Sequence, residues 1–246
     1  MVKKIVAIIP SYKNEKWCIQ NMQSILAQNY PNFRVIYTDD HSPDGTYDLV
    51  YKFIANYNLL DKVTLIRNDT RLGALHNLYN MIHSCEDDEI IVTLDGDDWF
   101  AHPDVLQKIN DVYSNENVWT TYGSYQDVPS RVRGCCRPYE APVINANAFR
   151  RMSWRASHLR TYYAWLFKKI KQEDFYDKQG KWLDMAWDLS IMLPILEMSG
   201  ERHRYIHDIL YCYNNENPIS DHKVDQHRQR ALAMFIRSKP KYQRLL

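Results

Sequence analysis

The chain has 246 residues, enough for one large α/β domain or a domain with a smaller appendage, and its 45% apolar residues suffice for a sizeable core. Its 31 Lys and Arg against 30 Asp and Glu leave a net charge of +1, which gives no basic signature for nucleic acid and favours a small-molecule enzyme. The five cysteines (Cys18, Cys85, Cys135, Cys136, Cys212) are odd in number and lack CxxC spacing, which argues against a disulfide framework or a zinc site and leaves them as reduced thiols.

Met1, Val2, Lys3 and Lys4 lead directly into an apolar run over 5–9 that is too short for a signal segment or a membrane span, so a cytoplasmic protein is expected. Strands are predicted over 4–9, 33–38, 63–66, 90–94 and 118–125. Helical spacing fills the gaps, as in Leu49, Val50, Phe53, Ile54 and Tyr57, or Leu75, Leu78 and Ile82. Ser42, Pro43 and Asp44 ahead of Thr46 signal a helix start, as do His102 and Pro103 ahead of Val105. Right-handed βαβ crossovers of this kind give a doubly wound parallel sheet over about the first 115 residues. Beyond it, 131–142 lacks periodicity and reads as a loop, while 153–170 alternates aromatic and basic residues. A helix over 183–199, kinked at Pro194, and a strand over 205–211 follow, and 222–246 reads as a surface helix and tail.

Ligands of an open parallel sheet bind beyond the carboxyl ends of its strands, and those ends here are polar. They carry Pro10, Ser11 and Tyr12; Asp39, Asp40, His41 and Ser42; Arg67 and Asn68; and Asp95, Gly96, Asp97 and Asp98. Three carboxylates in one turn repel each other unless a cation sits among them. Hard oxygen donors that leave positions open suit Mg²⁺ or Mn²⁺ holding phosphates, although a solvated Asp-Gly turn is the plain alternative. The seven glycines form neither GxGxxG nor GxxxxGK, so carboxylate-held metal replaces the backbone cradle for a diphosphate. The 18 Tyr and 7 Trp suit stacking on sugars and bases as well as ordinary packing, and Trp17, Trp119 and Trp187 are read as packing residues.

The segments Ile8-Ile9-Pro10-Ser11-Tyr12-Lys13-Asn14-Glu15, Thr38-Asp39-Asp40-His41-Ser42-Pro43-Asp44-Gly45-Thr46 and Leu94-Asp95-Gly96-Asp97-Asp98 resemble, in order, the signature segments of inverting family 2 glycosyltransferases, the last being their DxD motif. His41 stands where that family usually has glycine, and Arg71-Leu72-Gly73-Ala74-Leu75-His76-Asn77 is a looser match beside the diphosphate. The resemblance implies an α/β, GT-A (Rossmann-like), mostly parallel central sheet flanked by helices, with a mainly helical C-terminal acceptor region. It implies a nucleotide-sugar-binding half over 1–125, an acceptor-side half with the catalytic base over 126–221, and a C-terminal helix and tail over 222–246.

By the same resemblance Pro10, Ser11, Tyr12 and Asp40 would hold the nucleobase, Gly73 and Asn77 would lie beside the donor, and Asp95 would face ribose and diphosphate. Asp97 or Asp98 would ligate Mn²⁺ or Mg²⁺, and His222 would help there or remain a solvated loop residue. Asp39 orders its turn. Asp188 would be the base that deprotonates the acceptor, with Asp184 the fallback because the usual Glu-Asp pair is absent and Ala186 and Trp187 stand before Asp188. Trp154, Arg155, His158 and Arg160 occupy the acceptor segment, or else are core and surface positions of one helix. The expected partners are a nucleotide-sugar donor, with UDP as its nucleotide, and a glycan or glycosylated acceptor, with no nucleic acid, no transmembrane segment and at most a weak membrane-surface contact through the basic C-terminus. The other function classes are a catalytically inactive nucleotide-sugar-binding module or scaffold and a nucleotidyltransferase; the latter would need glycines that the first loop lacks.

Overall fold

The computed structural model describes residues 2–114, 117–219 and 221–245, apart from the side chains of Asp221 and His222. The first half alternates strand and helix: β1 (Ile5–Ser11), α1 (Cys18–Leu26), β2 (Phe33–Asp39), α2 (Thr46–Asn56), β3 (Val63–Arg67), α3 (Ala74–His83) and β4 (Ile90–Thr93). β1 pairs in parallel with both β2 and β4, with Ile5 level with Phe33 and Ile90, and β2 pairs in parallel with β3. Every residue of β1 is buried because its two faces enter different cores. Val6 and Ile8 pack with Leu75, Leu78 and Met81 of α3, while Ile5, Ala7 and Ile9 pack with Met22 and Ile25 of α1 and Val50 and Ile54 of α2. A two-residue side-chain period with helices on both faces leaves no polar side for such a strand.

The second half continues through β5 (Trp99–Phe100), α4 (Val105–Tyr113), β6 (Thr120–Val128), α5 (Ala141–Asn145), β7 (Arg160–Tyr163), α6 (Ala164–Phe167), α7 (Trp187–Ser199), β8 (His203–Asn214), α8 (Asp221–Val224) and α9 (Gln226–Ser238). One eight-stranded sheet results, in the order β3-β2-β1-β4-β7-β6-β8-β5. β7 lies antiparallel to β4 and β6, β6 runs parallel to β8, and β5 runs antiparallel to β8. Residues 126–221 carry α5, α6 and α7 and also contribute β7 and β8 to the sheet. The aromatic and basic alternation of 153–170 yields the buried strand β7 rather than one helix, because Thr93 and Arg160 pair at the end of β4.

The helix predicted over 183–199 starts at Trp187, since Ala186 takes the left-handed conformation (φ 53°) and ends helical geometry on its N-terminal side. From Leu189 to Ser199 every residue of α7 is buried, Glu197 among them. That charge is matched by Arg150, whose Nε and Nη2 donate to Glu197 at 2.6 and 3.0 Å. The polar tail is strapped to the same helix: Tyr242 N donates to Glu197 and Leu245 N to the Met198 carbonyl. No helix among the described residues is long and apolar enough to cross a membrane.

Candidate active site

The acidic loop leaves β4 and folds back against the end of β1. A Cβ at Gly96 would lie 2.7 Å from Ser11 and 2.6 Å from Asn14 Nδ2, so only glycine permits this approach. Asn21 of α1 pins the loop, its amide donating to the carbonyls of Asp95 at 3.0 Å and Asp98 at 2.7 Å. The three carboxylates have different neighbours. Asp98 is buried and fully engaged: Oδ1 accepts from Asn214 N at 2.6 Å and Oδ2 from Tyr211 OH at 2.5 Å. Asp97, partly exposed, accepts from Asn217 Nδ2 at 2.7 Å. Asp95 receives a 3.4 Å contact from Tyr211 OH and lies 3.8 Å from Arg160 Nη2.

Burial raises all three carboxyls. Burial, opposed by Arg160 and joined by Asp97 and Asp188, leaves Asp95 pushed up to about 6; burial, then Asp97 and Asp95, raise Asp98 further. For Asp97, burial outweighs the hydrogen bond from Asn217. This excess of negative charge among hard oxygen donors is what a divalent cation relieves, and the donor set fits Mg²⁺ or Mn²⁺. Asp95, Asp98 and His158 each bring one ligand atom within 4.8 Å of the others. Because both Asp98 oxygens already serve protein donors, Asp97 is the carboxylate at this rim less committed to the fold.

The ends of β1 and β2 form an adjoining pocket of about 370 Å³, lined by Pro10, Ser11, Tyr12, Asp40, Gly73 and Asn77 among others. Ser11 Oγ accepts from Tyr37 OH at 2.7 Å and from Asn14 Nδ2 at 3.0 Å, so its side chain serves the wall rather than the opening. Tyr12 presents its ring with the Arg71 guanidinium 3.9 Å from the centroid. Asp40 anchors the opposite loop: Oδ1 accepts from Asn68 Nδ2 and Leu72 N, and Oδ2 from Gly73 N, each at 2.8 Å. Burial raises this carboxyl, but the donors Asn77, Leu72, Asn68 and Gly73 more than offset it and hold it below the ordinary carboxylate range. Gly73, at φ 91°, sits where a side chain would be strained. Asp39 accepts from Ser42 N at 3.0 Å, the turn-ordering bond expected of it. His41 adopts φ 58°, a conformation that explains why glycine suits that position elsewhere.

Across the crevice, Trp154, Ser157, His158, Arg160, Trp187 and Asp188 face Asp95 and Asp97 around a pocket of about 510 Å³. His158 is buried with its ring stacked 4.3 Å from that of Tyr211, and burial followed by the nearby Arg160 drives its pKa well below the ordinary value, so it is neutral. Asp188 lies in the first turn of α7, where the helix N-terminus favours a carboxylate, and its Oδ2 is 3.6 Å from Arg160 Nη1. Burial nevertheless raises its pKa against the lowering by Arg160. Asp184 is exposed and bound by Arg228 at 2.9 to 3.2 Å, on the rim of the smaller pocket.

Two expectations need correction, and one falls outside the described residues. Arg155 does not face the crevice: its guanidinium donates to the Pro138 carbonyl at 2.9 Å and to Glu140 at 2.8 Å, which turns it toward the 131–142 loop. Trp187 lines both pockets instead of only packing, because the left-handed turn at Ala186 places it at the start of the helix. The His222 side chain lies outside the described residues. Sequence reasoning placed Arg160 in the acceptor segment but gave it no separate role, and it passed over Tyr211, Asn217 and Asn21 as site residues. Of these only Arg160 had a local signal, the aromatic and basic alternation of 153–170.

The sequence model of Glycosyl transferase family 2 matches residues 6–175, from β1 past α6, and ends before Trp187 and Asp188. The chain belongs to glycosyl transferase family 2. EpsE of Bacillus subtilis (strain 168), a glycosyltransferase by name, is 36% identical over 107 residues, covering 43% of this chain and 36% of EpsE. An uncharacterized glycosyltransferase of Haemophilus influenzae is 27% identical over 125 residues, 50% of this chain and 37% of that protein. The matches thus span about a third of the length of these relatives. S. aureus TarS 1-349, solved in complex with UDP, superposes with a TM-score of 0.65 at 20% identity, covering 87% of this chain and 61% of that one. The mannosyltransferase PcManGT of Pyrobaculum calidifontis, in complex with GDP-Man and Mn2+, gives 0.57 at 19% identity, covering 87% and 57%. At these identities the likeness is one of fold, and the fold of this family 2 chain is GT-A.

Proposed function

We propose that this chain moves a sugar from a nucleoside diphosphate donor, with UDP as the nucleotide, to an acceptor hydroxyl with inversion at the anomeric carbon, and that a divalent Mn²⁺ or Mg²⁺ ion takes part. The observation that carries the reading is the placement of Asp188 and the carboxylates of Asp95 and Asp97 on facing walls of one pocket, continuous with the Tyr12 and Asp40 pocket. Residues 1–125 act as the donor half, 126–221 as the acceptor side and 222–246 as the C-terminal helix and tail.

Tyr12 offers its ring to the base, and Asp40 fixes the loop that closes the base pocket. Asp97 holds the ion directly, Asp95 turns toward the ribose and diphosphate, and Asp98 keeps the acidic loop tied to β8. When bound, the ion supplies positive charge to the departing diphosphate. Asp188 takes the proton of the acceptor hydroxyl as that oxygen attacks the anomeric carbon, and the bond to the nucleoside diphosphate breaks on the opposite face. Asp184, committed to Arg228, leaves that role to Asp188. Trp154 and His158 form the acceptor wall, and a glycan or glycosylated acceptor in the cytoplasm completes the proposal. The position of Asp188 in the pocket favours the enzyme over an inactive binding module.

The test is a thermal-shift panel of nucleotide sugars with and without Mn²⁺, followed by a transfer or donor-hydrolysis assay. A true donor should raise the melting temperature by linkage, and Asp97→Asn should remove the metal-dependent part of that rise. Absence of stabilisation by any nucleoside diphosphate under either condition would overturn the reading.

A further inference from the structure

Arg160 is a buried cation without a full hydrogen-bonded partner. Its side chain is 4% exposed, and its guanidinium lies between two carboxylates from opposite halves of the chain, 3.6 Å from Asp188 and 3.8 Å from Asp95. Both distances are ion-pair distances beyond good hydrogen-bonding reach. Among the described residues Nη2 has no hydrogen-bond partner, and Nε makes a marginal 3.5 Å contact with Thr93 Oγ1. A buried guanidinium normally takes a bidentate carboxylate, as Arg150 does with Glu197 in this molecule. Leaving one loosely held is costly, so its retention between these two acids calls for a role.

Its placement is rigid. Arg160 starts β7 and pairs in register with Thr93, the last residue of β4, two residues before Asp95. The Trp187 ring, 5.2 Å away, borders the same guanidinium and adjoins Asp188 in the chain. The Trp154 indole N–H is buried without a hydrogen-bond partner among the described residues, lines the same pocket as Asp188 and favours the charged form of that carboxyl. The charged groups that act on Asp188 are Arg160 from β7, Asp95 from the acidic loop and Arg237 from α9, the last already donating to the carbonyls of Arg150 and Met152 at 2.8 Å. Arg160 is the nearest cation among them.

We infer that Arg160 is a positioning residue, assisted by Trp154, that holds the Asp188 carboxylate ionised and aimed into the pocket and links it to the donor-side Asp95. The inference deepens the proposed transfer reaction and rests on Asp188 being its base. No bond forms or breaks at Arg160; it acts through Asp188.

The experiment uses the full chain as wild type, Arg160→Met, Arg160→Lys and Trp154→Phe. Donor turnover with Mn²⁺ is followed from pH 5 to 9, nucleotide binding by calorimetry, and the Asp188 carboxyl by ¹³C NMR titration of the metal-free protein. Arg160→Met should lower kcat by about 10²-fold with donor KM changed less than about threefold, and should move the acid limb of the pH profile up by about one unit. Arg160→Lys should restore at least about tenfold of the loss, and Trp154→Phe should lower kcat by roughly three- to tenfold. The NMR titration should show the same upward movement of Asp188 in Arg160→Met and its recovery in Arg160→Lys, whether or not a donor is turned over. An unmoved Asp188 titration, or a loss confined to donor KM, would overturn the inference. If Arg160→Met fails to fold, Arg160→Lys and Trp154→Phe carry the same readouts. Failure of wild type to bind any nucleoside diphosphate would instead count against the transfer reading.

Discussion

The two walls of the crevice are built by different means. On the donor wall each functional group stands at the carboxyl end of a parallel strand, and neighbouring backbone N–H groups or amides fix it, as Leu72, Gly73 and Asn68 fix Asp40. On the acceptor wall the groups come from separated elements: Trp154 from a loop, Arg160 from an antiparallel strand, Asp188 from a helix N-terminus. Charge and burial hold them, with few well-formed hydrogen bonds. Burial raises both carboxyls; the donors Asn77, Leu72, Asn68 and Gly73 bring Asp40 below its ordinary value, whereas Arg160 and the Leu189 backbone do not offset burial at Asp188. The first wall behaves as a preset socket and the second as an electrostatic balance.

The largest effect should come from the scaffold of the acceptor wall. Glu197→Ala leaves Arg150 as an uncompensated buried cation beneath α7 and should destabilise the protein by about 3–5 kcal/mol in urea unfolding, with loss of Asp188 placement. A loss below 1 kcal/mol would mean that the helix does not depend on this pair. Next, Asp188→Asn should reduce transfer by about 10²–10⁴-fold while nucleotide binding by calorimetry stays within about twofold, separating the two walls functionally. Near-normal turnover in this variant would remove Asp188 from the reaction.

The pH dependence of stability should then distinguish the walls by sign. Asp40, held below its unfolded value, contributes stability that is present above about pH 4 and lost as pH falls through its folded pKa. Asp188, raised in the fold, works in the opposite direction: the folded state keeps a proton that the unfolded chain releases, so stability declines as pH rises from about 4 through the folded pKa. In urea unfolding from pH 3 to 7, Asp40→Asn should flatten the acid-side loss and Asp188→Asn should flatten the decline at higher pH. Matching profiles for the two variants would contradict the contrast. The smallest effect belongs to the rim: Asp184→Ala breaks an exposed pair with Arg228 and should cost about 0–1 kcal/mol and leave turnover within about threefold. A loss comparable to that of Asp188→Asn would reinstate Asp184 as the base.

The donor wall was legible in advance because its motifs are contiguous. Strands β1, β2 and β4 announce themselves as apolar runs, and Tyr12, Asp40 and Asp95 to Asp98 follow within a few residues of each run. The facing wall was legible only in part: Trp154, His158 and Asp188 line the pocket as expected, and Arg155 does not. Arg155 and His158 look alike in sequence, yet the Pro138 carbonyl and Glu140 draw one away while the Tyr211 ring holds the other in the pocket. Asp184 and Asp188 are four residues apart on what read as one helix, and the left-handed Ala186 puts them in different environments.

Composition, hydrophobic period and the carboxylates at the strand ends determined the fold class, the donor crevice and the acidic loop, because a parallel sheet delivers whatever follows each strand to one edge. The tertiary structure alone decided which of two adjacent aspartates is committed to the fold, which of two helix aspartates enters the pocket, and that Arg160 stands between Asp95 and Asp188. Those outcomes depend on contacts between residues scores of positions apart, made when β7 and β8 join the sheet, and no local pattern encodes them.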